Sequence, residues 1–331
     1  MRLGIDLQQG YLIILTALIV LMAAATIYGL WAAGRAKTPE QTFRLAIANS
    51  RVRMGWWLVI IFTVAWGFGQ TTLVVIFAIL SFFLLREFIA LTPIRPRDHW
   101  VLVLAFYLII PAQYALVYFN LMPYFTLFIP VYVFLLLPVI AAIGNDTDRF
   151  LERVAKVQWG LMICVFCVSH APAIATLDFS GIERHNSSGA LMLLFYLMVT
   201  FCADLFSVLA SSALGGKTLR MNPHKTVKGI SVGCFLAFLV GLSLFWLTPF
   251  RIYQVALYSL AIVLSCVMGD IVISAVKRSL GSKSWEGELY IGRGSLERFA
   301  PLIFSAPVFY CLLYTSPSPR DLSTSRMPSS A

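Results

Sequence analysis

The chain has 331 residues, 60% of them hydrophobic and only 12% charged, with a mean hydropathy of +0.84. A soluble domain of this size has too little interior to hide such a composition, so the chain reads as an all-α, polytopic integral membrane protein. Its formal charge of +10 points to anionic lipid headgroups and phosphate-bearing substrates rather than nucleic acid, because no soluble basic domain with interleaved aromatics is present.

A bilayer core takes roughly 20 apolar residues per helix. Apolar runs predict about ten spans, at 11–33, 55–69, 72–91, 100–119, 123–143, 157–177, 189–211, 229–248, 252–270 and 300–314. The first lacks a small-residue cleavage site and is expected to be a retained anchor. The connections 34–54, 92–99, 144–156, 212–228 and 271–299 hold nearly all the Lys and Arg, while the alternating ones hold only Arg184 and Arg251. This positive-inside alternation places the N-terminus outside and the basic connections in the cytoplasm.

Along the chain, Arg86-Glu87 is expected to anchor the inner end of the third span. The sixth span carries Cys164-x-x-Cys167, with no second pair to complete a metal site, so buried packing is expected. The same span holds His170, expected to hydrogen-bond a neighbouring helix, with Pro172 freeing a carbonyl nearby. From about Tyr314 the segment "YTSPSPRDLSTSRMPSSA" is too polar to bury a core and reads as a disordered or non-native tail. The expected organisation is an N-terminal transmembrane region over 1–198, a C-terminal catalytic region over 199–313, and the tail over 314–331.

Polar residues inside a bilayer are informative, because an ionisable group at mid-span costs roughly 2.5–3.5 kcal/mol on insertion scales. Asp204 lies within the seventh span and Asp270 ends the ninth. Asp270 also reads as a solvated helix end, and Asp204 as a structural hydrogen-bond acceptor. If the ninth helix continues, Asp270, Ser274, Lys277 and Arg278 stand at i, i+4, i+7 and i+8 and share one face. That places a carboxylate deepest with cations nearer the cytoplasm, although a surface stripe of ion pairs has the same spacing. A basic, turn-rich connection, "GGKTLRMNPHKTVKG", leads into the eighth span and sets Lys225 and Thr226 near a helix N-terminus, where backbone N–H groups favour anions. A third piece, "ELYIGRGSLERFAP", flanks Arg293 with glycines and carries Arg298 five residues on, a pattern suited to wrapping phosphates.

In this order the three clusters resemble phosphatidate cytidylyltransferases, the membrane enzymes that make CDP-diacylglycerol. The family carries S-P-x-K-T-W-E-G where this chain has "NPHKTVKG", keeping Pro223, Lys225, Thr226 and Gly229. Its C-terminal signature, G-D-x-x-x-S-x-x-K-R, a K-D pair and P-G-H-G-G-x-L-D-R, is similar at Gly269, Asp270, Ser274, Lys277, Arg278, Lys283, Gly294, Leu296 and Arg298, with Glu297 for the Asp. Asp204, eleven residues before Gly215, resembles the family's Asp that precedes an F-G-K turn, and "SFFLLREFIALTP" is similar to its N-terminal half more loosely. The chain departs from the pattern where Arg293 precedes Gly294 without the signature His, where Ser284 follows Lys283, where Ala300 replaces the closing carboxylate, and at Lys228. It therefore looks like a divergent member.

The resemblance implies transfer of a cytidylyl group from CTP to phosphatidate or a related lipid phosphate, releasing pyrophosphate, at an active site facing the cytoplasm in a bacterial inner membrane. It implies Asp270 as the principal Mg2+ ligand with Asp204 as the second carboxylate, and Lys225, Thr226, Lys277, Arg278 and Arg298 as phosphate ligands. Ser274 would donate to a phosphate oxygen or a metal-bound water, and Arg293 would take part of the role of the missing His. A second cation and a homodimeric assembly stay open. A CTP-dependent lipid kinase, and a lipid or small-molecule transporter, are the alternatives; no inverted repeat supports the latter.

Overall fold

The computed structural model describes residues 7–35, 69–92, 99–143, 148–177, 189–214, 216–217, 225–279 and 294–315, with scattered positions between 42 and 68. Among the described residues the regular structure is helical, and nine helices are long and apolar enough to cross a bilayer. In chain order they are α1 (Leu7–Arg35), α2 (Gln70–Ala90), α3 (His99–Tyr118), α4 (Met122–Ile143) and α5 (Phe150–Ala175). These are followed by α6 (Gly189–Leu214), α7 (Val227–Ser243), α8 (Ile252–Ser279) and α9 (Ser295–Thr315). They coincide with nine of the ten expected spans. The expected span 55–69 lies largely outside the described residues, and the positions described from Gly55 to Phe68 are helical. The Ser/Pro-rich tail beyond Thr315 lies outside them altogether.

Burial sorts these helices into a centre and a rim. Every side chain of α6 from Leu191 to Thr200 is buried, and α5, α7, α8 and α9 pack around it. A helix that is apolar on all sides is held in this way, by neighbours rather than by one core-facing stripe. The rim helices α1, α4 and α7 instead expose large apolar side chains such as Ile27, Leu135 and Phe235, as a surface matched to lipid chains does.

Small residues set how closely the C-terminal helices approach. The buried positions of α7 are Gly229, Gly233, Ala237 and Gly241, one every four residues. A Cβ would stand 2.1 Å from Ser211 Oγ at Gly229, and 2.3 Å from the Ser207 backbone nitrogen at Gly233. Helices pack backbone to backbone in a membrane when small residues recur at this interval. The same device joins α8 to α9, where a Cβ on Gly269 would lie 2.5 Å from the Ala300 carbonyl oxygen.

The N-terminal half is less regular. Turns of π-helix at Ala105–Ile109, Phe128–Val133 and Met162–Cys167 interrupt α3, α4 and α5. The first leads into Pro111 and the second contains Pro130, residues without the N–H that would continue an i→i−4 ladder. His170 corrects an expectation: its Nδ1 stands 2.7 Å from the Phe166 carbonyl of its own helix, not against a neighbour. The π-helical turn leaves that carbonyl within reach, and the rings of Phe125, Phe166 and Tyr310 at 4.9, 4.7 and 5.1 Å enclose the imidazole. Cys164 and Cys167 are free thiols, the former fully buried, in keeping with a packing role.

Candidate active site

Three chain segments deliver charge to one point. Asp204 stands on α6, Asp270 on α8, and Lys225 in the connection that enters α7. The Lys225 ammonium donates to Asp204 Oδ1 at 2.9 Å and to Asp270 Oδ2, so one nitrogen bridges carboxylates from two helices. Lys225 is 2% exposed and Asp204 8%. Burying charges costs several kcal/mol each unless geometry and hydrogen bonds offset it, which makes this convergence expensive to assemble by accident.

Lys225 is held at this depth by its neighbour. Thr226 adopts an extended conformation and caps α7: its hydroxyl accepts from the Gly229 N–H at 3.0 Å, while its own N–H donates to Ser211 Oγ at 3.0 Å. A threonine cap contributes about 1 kcal/mol and fixes where the helix begins. Here it also ties that start to α6.

Arg51 was not singled out in the sequence. Its Nη1 lies 2.7 Å from Asp204 Oδ2 and donates to the Arg298 carbonyl at 3.1 Å. Asp204 therefore presents one oxygen to each of two cations, and Asp204, Asp270, Lys225 and Arg51 together sum to zero charge. An arginine in a basic connection looks like any positive-inside residue, so its one-dimensional signal is faint.

A second layer surrounds this cluster. Lys277 pairs with Glu297 of α9 at 3.2 Å, and that glutamate is buried. The predicted stripe on α8 does form on one continuous helix: Ser274 is buried and Lys277 partly buried, whereas Arg278 is exposed. At about 100° per residue, Arg278 is displaced by about 80° from Asp270 and so lies at the edge of the inward face. Glu87 reaches further than expected. Arg86 stays exposed, but the Glu87 carboxylate accepts from the N–H groups of Ser295 at 2.8 Å and Leu296 at 3.3 Å, at the first turn of α9. A carboxylate there satisfies orphan donors and meets the positive end of the helix dipole. Arg298 is half-buried one turn on, and Arg293 lies outside the described residues.

The donor set fits a hard divalent cation. Asp270 Oδ1 is buried without a hydrogen-bond partner among the described residues, and the two carboxylates already converge on one positive charge. Among the described residues no group of three or more His, Cys, Asp or Glu converges. Mg2+ accepts such a partial protein shell, taking one or two carboxylates and filling the remainder with water and phosphate oxygens.

The model of the cytidylyltransferase family matches residues 49–316. The chain belongs to that family. A protein of Escherichia coli K12 described as uncharacterized protein YnbB is 33% identical over 301 residues, covering 89% of this chain and 95% of the relative. Phosphatidate cytidylyltransferases of Staphylococcus aureus strain COL and Rickettsia prowazekii strain Madrid E are 26% and 27% identical over 167 and 150 residues. Those two matches cover 49% and 42% of this chain and 64% of each relative, somewhat under two thirds of their length. This cytidylyltransferase-family protein is thus a nucleotidyltransferase built into a membrane. The family match takes in Arg51 and Glu87 as well as the clusters after residue 200.

Proposed function

We propose that the protein transfers the cytidylyl group of CTP to phosphatidate or a closely related lipid phosphate, giving CDP-diacylglycerol and pyrophosphate. The observation that carries this reading is the convergence of Asp204 and Asp270, from separate helices, on the Lys225 ammonium inside a family of cytidylyltransferases. Relatives named phosphatidate cytidylyltransferase supply the acceptor class.

In this reaction an oxygen of the lipid phosphate attacks the α-phosphorus of CTP, and the bond from that phosphorus to the β-phosphate oxygen breaks. Both partners are anions, so catalysis consists of positioning and charge compensation, with no need for a side-chain nucleophile. Asp270 and Asp204 would hold Mg2+, which supplies Lewis-acid compensation of phosphate charge when bound. Lys225 holds the two carboxylates in register. Thr226 at the start of α7, Lys277 on α8 and Arg298 on α9 would meet phosphate oxygens, Ser274 would donate from the buried face of α8, and exposed Arg278 would receive an anion at the rim. Arg293, outside the described residues, would take part of the role of the missing signature His, as the resemblance implies.

The helix ends at Leu214 and Ser279, and the starts of α7 and α9, lie on one side by connectivity. The positive-inside pattern of the basic connections supports the cytoplasm as that side, where CTP would be available while the acyl chains of the acceptor stay in the leaflet. Membranes containing the protein, given phosphatidate and CTP labelled at the α-phosphate, should place label in the lipid fraction, and Asp270→Asn should abolish it. Transfer of γ-label instead would make the protein a lipid kinase, and transfer of neither label would refute nucleotidyl transfer.

A further inference from the structure

We propose that Arg51 is a phosphate-binding group of this site, holding a phosphate oxygen of the nucleotide or of the lipid with the guanidinium nitrogen that its structural contacts leave over; this rests on the functional reading above. Arg51 is 4% exposed, and its Nη1 serves both Asp204 and the Arg298 carbonyl. Its Nη2 is buried and has no hydrogen-bond partner among the described residues. A buried charged donor without a partner is strongly unfavourable, and native proteins satisfy nearly all such groups. A purely structural arginine would have spent both ends of its fork.

The orphan donor has a counterpart. Arg51 and Asp270 are joined through the chain Arg51, Asp204, Lys225, Asp270, and the far end of that chain carries an orphan acceptor, Asp270 Oδ1. One cluster with an unused cationic donor and an unused anionic acceptor is complementary to a ligand bearing both signs. A phosphate group accompanied by a divalent cation is such a ligand. Arginine suits the donor role better than lysine, because its planar fork binds one group through one nitrogen and a phosphate oxygen through the other. The fold brings this group from the N-terminal side of the family region, so Arg51 ties the substrate to the same carboxylate that α6 contributes.

The test uses the full chain purified in detergent with Mg2+, and reads the rise in thermal midpoint on titrating CTP alone or short-chain phosphatidate alone, so that no turnover occurs. Arg51→Lys keeps a cation for Asp204 and should retain the unliganded midpoint to within a few degrees. It should bind one of the two ligands about tenfold to a hundredfold more weakly, as loss of one charge-assisted hydrogen bond implies. Loss confined to CTP assigns the nucleotide, and loss confined to phosphatidate assigns the lipid. Affinities equal to those of the parent for both ligands overturn the proposal while the functional reading stands. A parent protein that binds neither ligand brings down the functional reading, and this proposal with it. Should Arg51→Lys and Arg51→Gln both fail to fold, hydrogen exchange of the unmodified chain across 49–56 decides. Slowed exchange on adding either ligand is expected, and unchanged exchange with both is refuting.

Discussion

Replacing Lys225 by methionine removes the one nitrogen shared by buried Asp204 and largely buried Asp270. Asp204 keeps Arg51 at 2.7 Å, but Asp270, whose side chain is 11% exposed, is left with no cation among these four groups. Removing one partner of a buried ion pair costs about 3–5 kcal/mol, because the survivor stays buried and uncompensated. The retained Arg51 contact and the slight exposure of Asp270 favour the lower end, about 3 kcal/mol, or roughly a 150-fold larger unfolding constant. The cause is excess negative charge, so it should be relieved by taking a charge away. Lys225→Met combined with Asp270→Asn should recover about 2 kcal/mol, a coupling within the range seen for residues in direct contact. Reversible unfolding in mixed detergent and SDS micelles, run on both single variants and the double, measures this coupling. Strictly additive losses would show that the lysine is held by packing and not by the carboxylates, and the charge argument would fall.

Asp270→Asn should lower label transfer from CTP by about two to three orders of magnitude, the scale expected on removing a preorganised electrostatic group, with unfolding stability close to that of the parent. Activity within a factor of two would remove Asp270 from the site. Gly233→Val should destabilise by about 1–3 kcal/mol, since its Cβ would meet the backbone of Ser207, which no rotamer change can relieve. Gly34→Ala in α1, with nothing within 4 Å of the added Cβ, should leave the same unfolding measurement unchanged or slightly improved. Glu87→Ala should cost about 0.5–2 kcal/mol by uncapping α9, and Glu87→Gln should cost less than Glu87→Ala if hydrogen bonding to Ser295 and Leu296 outweighs the dipole contribution.

Apolar run length made most of the helices legible, because a bilayer leaves few alternatives to a spanning helix. The expected span ended at Asp270, and its continuation was only a condition for the shared face of Asp270, Ser274 and Lys277; the helix runs on to Ser279 and meets that condition. Asp204 and Asp270 stood out because carboxylates in apolar runs are rare. Lys225 was legible as a site residue, but not as the bridge between them: a buried ammonium and a solvated one have the same letter, and depth is decided by the Thr226 cap and the glycine stripe. Arg51, and the partners of Glu87 and Glu297, were hidden for a related reason. Each acts across more than a hundred residues of chain or through a partner on another helix, and neither periodicity nor local spacing encodes such a meeting. His170 went the other way, since a local π-helical turn supplied the acceptor that a neighbouring helix was expected to provide.

The stripe Gly229, Gly233, Ala237 and Gly241 does more than shorten a distance. It is one residue wide, so α7 has a single angular setting against α6. Rotating the helix by one position, about 100°, would replace glycines with the bulky side chains that now face outward. Inserting a residue between Thr226 and Gly229 would impose that rotation, swinging the ammonium out of line with both carboxylates. Glycine and alanine also have almost no rotamer freedom to lose when the surfaces meet. The aim of the most deeply seated cation among the described residues is therefore governed by four side chains that contain, between them, a single carbon atom.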